Sequence, residues 1–370
     1  MPASPRSSPG PAARPSTRSW RGSNGSAKRP ADGRTPAIGA PPHPIRFGVF
    51  TGVAQTTWPD LLEVWRRADE MGFDTGWVPD HFYAGYGDPA GPCYEATTLL
   101  AAVAARTQRI GVGHLVLSNT FRHPAVLANA AATLDHVAAG RFTLGLGAGW
   151  LESEHQGYGL PFGTTRERIE RLDEALTVIR RLHTEPRTSF AGRFYRLEDA
   201  LCEPKPLGGR RLPVLIGGGG ERFTLRVVAK HADEWNGEVG PSAFARKLDV
   251  LREHCRAVGR KVEDIRVSVV LRSEAQAEAM WEAMVRMSNP NLLAERRRLE
   301  ADGVPAAELE TRLRAWLWES LLPVDPSRAV DRLQAYVAVG VTHFIVAARP
   351  PYDLAGLERF LTRVAARVRP

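Results

Sequence analysis

Between residues 45 and 368 the chain alternates short apolar runs with amphipathic helical patterns, eight times in succession. The runs cover 45–50, 74–78, 109–117, 141–147, 213–216, 233–236, 265–271 and 342–347. Helical periodicity follows each of them. Over 58–71, Leu61, Leu62, Trp65 and Ala68 share one face, and Gly72 is placed to end the helix. Pro124 opens another helix at a first turn, where its missing N–H costs nothing. Most of the runs are apolar without alternation, the mark of parallel strands covered on both faces. Eight such units predict an α/β fold of the (β/α)8 TIM-barrel type rather than an open doubly wound sheet. Two stretches exceed what that repeat needs. One, 184–212, lies after the fourth strand and its helix and carries a hairpin signal around Phe190 to Tyr195. The other, 274–322, is helical, charged and follows the seventh strand. The predicted organisation is a basic tail over 1–44 and one barrel domain over 45–370, with 274–322 as a helical insertion or lid.

In such a barrel the chemistry sits where strands exit at their C-terminal ends. The second run delivers Asp80 and His81, the third Ser118 and Asn119, the fourth Gly147, Ala148, Gly149 and Trp150, and the fifth Gly217 to Gly220. An acid beside an imidazole at a strand exit is either a turn or a site for proton chemistry. Convergence of four strand ends favours the site. Histidine suits it, because its unperturbed pKa of about 6.5 lies near working pH. His81 is therefore the first candidate acid/base, with Asp80 the alternative.

Two glycine-rich segments carry further signals. In 213–222 a strand is followed by four glycines and a helical pattern, which can present backbone N–H groups and a helix N-terminus to a phosphate. No Lys-Ser/Thr pair follows, so this is not a nucleotide-triphosphate loop. In 144–150 the spacing fits a dinucleotide fingerprint poorly, and it stands on a fourth strand rather than a first. Small residues there either let a flat ring lie against the strand end or permit close strand–helix packing.

Charge and composition narrow the class. The tail over 1–44 holds seven basic residues against one acid, so +6 of the formal +8 belongs to it. It is rich in Pro, Ser and Gly, without apolar periodicity or a secretory apolar core, and is expected to be disordered. The remaining chain shows no basic cluster of a nucleic-acid reader and no run of about 18 apolar residues for a membrane span. Cys93, Cys202 and Cys255 are far apart, which fits a reducing cytoplasm without structural zinc or disulfides. His81, His114, His123 and His136 lack the paired spacing of a metal site; His123 and His136 are expected at helix ends. No metal is expected.

The order of motifs WVPDHF, RTQRIGVG, NTFRHPAVLA, GRFTLGLGAGW and PVLIGGGGE resembles the bacterial luciferase-like flavin/deazaflavin oxidoreductases, most closely their coenzyme F420-dependent branch. The likeness spans about 45–271 strongly and 326–366 moderately. It implies a redox ring across the strand ends. Asp80 would meet the polar edge of the ring and His81 its reactive position. A non-prolyl cis bond, placed at Leu115–Val116, would lie beneath it. Ala148, Gly149 and Trp150 would line the ring or its ribityl chain. Gly218, Gly219, Gly220 and the Glu221 N–H would hold the phosphate. Some deazaflavin dehydrogenases carry a Glu where Trp150 stands here, and the departure points to an apolar substrate rather than a sugar phosphate. The resemblance implies hydride transfer between coenzyme F420 and a small organic substrate. The alternative is monooxygenation by reduced FMN supplied by a partner reductase; a barrel that binds flavin without turnover is a third reading. An anionic cofactor tail would favour basic residues at the mouth, with Arg193, Lys205, Arg210, Arg211 and Arg222 as candidates against ordinary solvated charge. A homodimer through outer helices is also implied.

Overall fold

The computed structural model describes residues 43–84 and 90–369. The expected disorder of the 1–44 tail therefore falls almost wholly outside the described residues. The elements, in chain order, begin with β1 (Arg46–Thr51), α1 (Trp58–Met71), β2 (Thr75–Val78), α2 (Ala96–Ala104), β3 (Gly111–His114) and β4 (Leu117–Ser118). Then come α3 (Pro124–Val137), β5 (Phe142–Gly147), α4 (Glu152–Gly157), α5 (Thr165–Thr184), β6 (Thr188–Ala191) and β7 (Arg196–Ala200). The second half runs β8 (Val214–Gly217), α6 (Thr224–His231), β9 (Glu234–Gly237), α7 (Pro241–Ala257) and β10 (Arg266–Leu271). It ends with α8 (Ala277–Arg286), α9 (Pro290–Ala301), α10 (Ala306–Ser320), α11 (Pro326–Ala338), β11 (His343–Ala348) and α12 (Leu354–Arg363).

One parallel sheet runs β3-β2-β1-β11-β10-β9-β8-β5-β4, and β3 also pairs with β5, so the sheet closes. Because β3 and β4 are two halves of one strand, this is the expected eight-stranded (β/α)8 barrel. The split has a physical cause. Gly113 pairs with Thr143 and Leu117 with Leu146, so the third strand spends one residue more than its neighbour between these points. That extra residue is a bulge, and the Leu115–Val116 bond within it is cis, at the expected position.

Clearance for this bulge explains the glycines of the fourth strand. A Cβ on Gly145 would lie 1.7 Å from the His114 carbonyl oxygen, and one on Gly147 would lie 2.7 Å from Val116 Cγ2. On the other side, a Cβ on Gly217 would come within 3.0 Å of Val116. The small residues thus make room for another strand, which neither the ring nor the helix-packing expectation named.

Two apolar layers hold the barrel. Inside, Trp77, Leu115, Leu215, Val270 and Ile345 are buried together, with Phe50, Val116 and Ala347 half-buried against them. Outside, helices cover the sheet; Trp65 of α1 lies across Gly76, where a Cβ would come within 2.3 Å of its ring, and its indole donates to Thr51 Oγ1 at 3.0 Å. The ends of α1 follow from local chemistry: the Thr57 side chain accepts from Asp60 N, and Gly72 ends the helix at φ 87°.

Both insertions form where expected. The β6–β7 hairpin reaches the end of β4, where Asn119 Nδ2 donates to Tyr195 OH at 3.2 Å. The buried apolar residues of helices α8–α10, including Met284, Leu309, Leu313, Trp316 and Leu317, are continuous with the core between the barrel and its helices. These helices lean on the exits of β8 and β9: Asn291 Oδ1 lies beside Gly219, and Glu319 accepts from Ser242 N (2.9 Å) and Ser242 Oγ (2.7 Å) at the start of α7.

Candidate active site

The exit of β2 builds the site. His81 Nδ1 lies 3.0 Å from Glu154 Oε2, while the Phe82 and Tyr83 N–H groups donate to Glu154 Oε1 at 2.6 and 3.2 Å. The Glu154 side chain is 1% exposed and that of His81 28%. An ionised carboxylate only accepts, so neutral His81 must carry its proton on Nδ1. Its Nε2 has no protein partner among the described residues and remains open at the strand end. Trp150 stands edge-on to the imidazole, with ring centroids 5.9 Å apart. Burial pushes the His81 pKa down, but the hydrogen bond and charge of Glu154, with the charge of Asp80, outweigh it and raise the pKa above its ordinary value.

Asp80 is engaged differently. Its carboxylate receives Arg122 on both oxygens, at 2.6 and 2.9 Å, and the Ser118 N–H at 2.9 Å. Arg122 also reaches Glu95 at 2.5 Å. This bidentate pair ties the exit of β2 to the loop after β4. Burial opposes ionisation of Glu95, yet hydrogen bonds from Thr97, Thr98 and Arg122 hold its pKa at about 2. Cys93 donates to the His81 carbonyl at 3.1 Å, and burial pushes its thiol up to about 11. It is a protonated, structural thiol at neutral pH.

The floor and walls follow from the barrel. Val116, Phe50 and Ala347 cap the inner core at the mouth. Leu115 is one layer deeper, 9% exposed. Gly149 adopts φ 80°, and a Cβ there would collide with Ser118 Oγ and Thr120 Oγ1. Those hydroxyls form a chain to His155 Nε2, with 2.7 and 2.6 Å links. Ala148 and Trp150 flank Gly149 and are half-buried.

At the exit of β8 the expected glycine turn is present, but the helix begins at Thr224 rather than Glu221, so Glu221 belongs to the turn. Gly218 has φ 126°. The N–H groups of Gly219 and Gly220 have no acceptor among the described residues. A concave run of glycines with free N–H groups before a helix fits a phosphate, and this is the feature that suits a phosphorylated redox cofactor.

Other expectations divide. His123 caps α3 by accepting from Ala125 N, and His136 in its last turn meets Lys205 O. Among the described residues, no group of three or more His, Cys, Asp or Glu is placed to hold a metal ion, and no helix is long and apolar enough to cross a membrane. Lys205, Arg210 and Arg211 are corrected: they precede β8, so they lie at the N-terminal face of the barrel, opposite the mouth. There Lys205 binds the carbonyls of Leu182 and Glu185, Arg210 pairs with Asp135, and Arg211 with Asp233. Arg193 is tied to Glu170 and Arg222 stacks on Phe223. Sequence reading missed Glu154 and Arg122 as site residues. Glu154 lies 73 residues from His81, shortly after the GRFTLGLGAGW motif, and the sequence reading gave it no role in the site.

A sequence profile of the luciferase-like monooxygenase family matches residues 43–343. An F420-dependent glucose-6-phosphate dehydrogenase of Kineococcus radiotolerans is 32% identical over 345 residues, covering 88% of this chain and 97% of the relative. Among solved structures, an F420-dependent secondary alcohol dehydrogenase in complex with an F420–acetone adduct superposes with TM-score 0.74 at 20% identity, covering 89% of this chain and all of that one. The coenzyme F420-dependent tetrahydromethanopterin reductase of Methanopyrus kandleri superposes with TM-score 0.71 at 19% identity, covering 88% of this chain and all of that one.

Proposed function

The chain belongs to the luciferase-like monooxygenase family, and from that premise we propose that it is a coenzyme F420-dependent oxidoreductase acting on a small, apolar alcohol or ketone. The observation that carries the reading is the open Nε2 of His81, backed by Glu154 and facing the same strand ends as the glycine turn. When bound, a deazaflavin supplies a two-electron hydride carrier. Everything else is the protein's work. The N–H groups of Gly219, Gly220 and Glu221 bind the phosphate, while that of Gly218 is held by the Asn236 carbonyl and anchors the turn. Val116, above Leu115, supports the ring, with Ala148 and Gly149 beside it. Trp150 excludes water next to His81. His81 Nε2 gives its proton to a carbonyl oxygen undergoing reduction, or takes one from an alcohol undergoing oxidation. Asp80, held by Arg122, orients the strand exit and the polar edge of the ring rather than carrying protons.

The apolar substrate rests on compensated charge at the mouth. The N-terminus of α7, which opens beside the exit of β9 and would suit a phosphate, is filled by the Glu319 carboxylate. Arg272, at the exit of β10, is paired with Glu238 at 2.9 Å. Residues 45–370 act together in this reading, with 274–322 as a lid over the β8–β9 side. Titration with F420 and FMN, followed by turnover with secondary alcohols and with glucose 6-phosphate, is expected to give F420 binding and alcohol-dependent F420 reduction. Preferential FMN binding with oxygen-dependent turnover would replace this reading by the monooxygenase alternative, and glucose 6-phosphate as the better substrate would remove the apolar assignment.

We also infer a homodimer. Helix α2 carries no charged side chain. Its outer residues Thr98 and Ala102 adjoin an exposed face of α3 containing Val126, Ala130 and Val137, of which Val126 is 66% exposed. An apolar helix face of this kind is normally covered. Light scattering should give twice the chain mass, and Val126→Asp should halve it; a native monomer at micromolar concentration sinks the idea.

A further inference from the structure

Two carbonyls of the glycine turn are gripped from behind. Gly218 O accepts the indole N–H of Trp235 at 2.8 Å, and Gly219 O accepts Lys247 Nζ at 2.7 Å. A planar trans peptide points its C=O and the following N–H in opposite directions. Fixing Gly218 O therefore turns Gly219 N–H away from Trp235, and fixing Gly219 O turns Gly220 N–H away from Lys247. Both of these N–H groups have no acceptor among the described residues. Both grips come from the helix-layer side: Trp235 packs on Phe244 of α7, and Lys247 stands on the same helix one turn later.

Lys247 is an unusual place for a cation. It is 9% exposed, although desolvating an ammonium is costly and a surface lysine would reach Glu221 without it. Its second partner is Glu221 Oε1 at 3.2 Å. Glu221 otherwise sets a negative charge inside the turn that is to receive an anion. Arg246, at 3.4 Å from the same oxygen, shares in offsetting it.

We propose that Lys247, with Trp235, is a positioning residue that presets the 218–220 turn for the cofactor's phosphate and neutralises Glu221 behind it. The proposal rests on the cofactor reading above and assigns Lys247 no contact with substrate or ring. It is tested with two ligands on the full-length protein: F420, and the phosphate-free deazaflavin riboside that keeps ring and ribityl chain. Lys247→Met should weaken F420 by about 10- to 100-fold, the range for a hydrogen-bonded charge, while riboside affinity changes less than about threefold. Lys247→Arg should recover most of the loss. Trp235→Phe, which keeps the ring and removes only the N–H, should show a smaller loss with the same selectivity, and it carries the test if Lys247→Met does not fold. Equal losses for both ligands would make Lys247 a merely structural residue and overturn the proposal, as would unchanged F420 affinity. Native protein that binds neither ligand would instead sink the underlying cofactor reading.

Discussion

His81→Ala is expected to lower turnover by about 10²- to 10⁴-fold, the usual contribution of a positioned acid/base, while F420 affinity stays within a few-fold of native. The split follows from geometry. The turn proposed for the phosphate leaves from β8, and the proposed ring floor is Val116, Phe50 and Ala347, so removing an imidazole at the exit of β2 touches neither. The side chain is part-exposed, which limits the cavity its loss creates. Stopped-flow absorbance of F420 under saturating substrate reads the chemical step directly. Full turnover with cofactor bound would remove His81 from catalysis; lost binding would mean that it holds the ring instead. Asp80→Asn, by contrast, leaves Arg122 and Glu95 paired but frees the β2 exit, so it is a control for disturbed geometry rather than lost chemistry.

The barrel was legible because parallel strands buried on both faces and amphipathic helices have different periods, and the chain switches between them eight times. The convergence of Asp80, His81, Ala148 to Trp150 and the glycine turn followed from one rule about strand ends. What escaped depends on register and on contacts distant in sequence. The bulge that splits the third strand shows only as a one-residue offset against β5. Helix α6 starts at Thr224, three residues past Glu221, whose carboxylate instead pairs with Lys247, and no side chain caps the helix. Lys205, Arg210 and Arg211 were placed near the right strand but at its wrong end, since residues before a barrel strand face away from the mouth. Helix α4 has only six residues and no side-chain cap, too little for a periodicity signal, yet it delivers Glu154.

Glu154→Gln tests the least legible part of the site, and its effects on the two reaction directions should differ. The substituted side chain keeps an oxygen for the Phe82 and Tyr83 N–H groups, both of which use Oε1, and turns an amide N–H₂ toward His81 Nδ1. Two consequences follow. Loss of the carboxylate removes the main influence raising the His81 pKa and leaves burial, which lowers it, opposed only by the charge of Asp80. Neutral His81 must also move its proton from Nδ1 to Nε2, which then cannot accept one. Ketone reduction needs imidazolium, so at neutral pH it should fall and recover as the pH is lowered through the new, lower pKa. Alcohol oxidation needs a free Nε2, so it should fall at every pH, by up to about 10⁴-fold, as when a histidine's carboxylate partner is made an amide elsewhere. Stability should respond with its own sign. In the native protein the folded-state pKa of His81 is raised, so the His81–Glu154 pair contributes fully below about pH 6.5, the unfolded value. That contribution is lost as pH rises through the folded pKa. The gap in melting temperature between native and Glu154→Gln should therefore be constant below about pH 6.5 and narrow as the pH rises above it. A gap independent of pH, with both directions falling equally, would show that Glu154 only caps the Phe82–Tyr83 backbone and leaves His81 protonation alone.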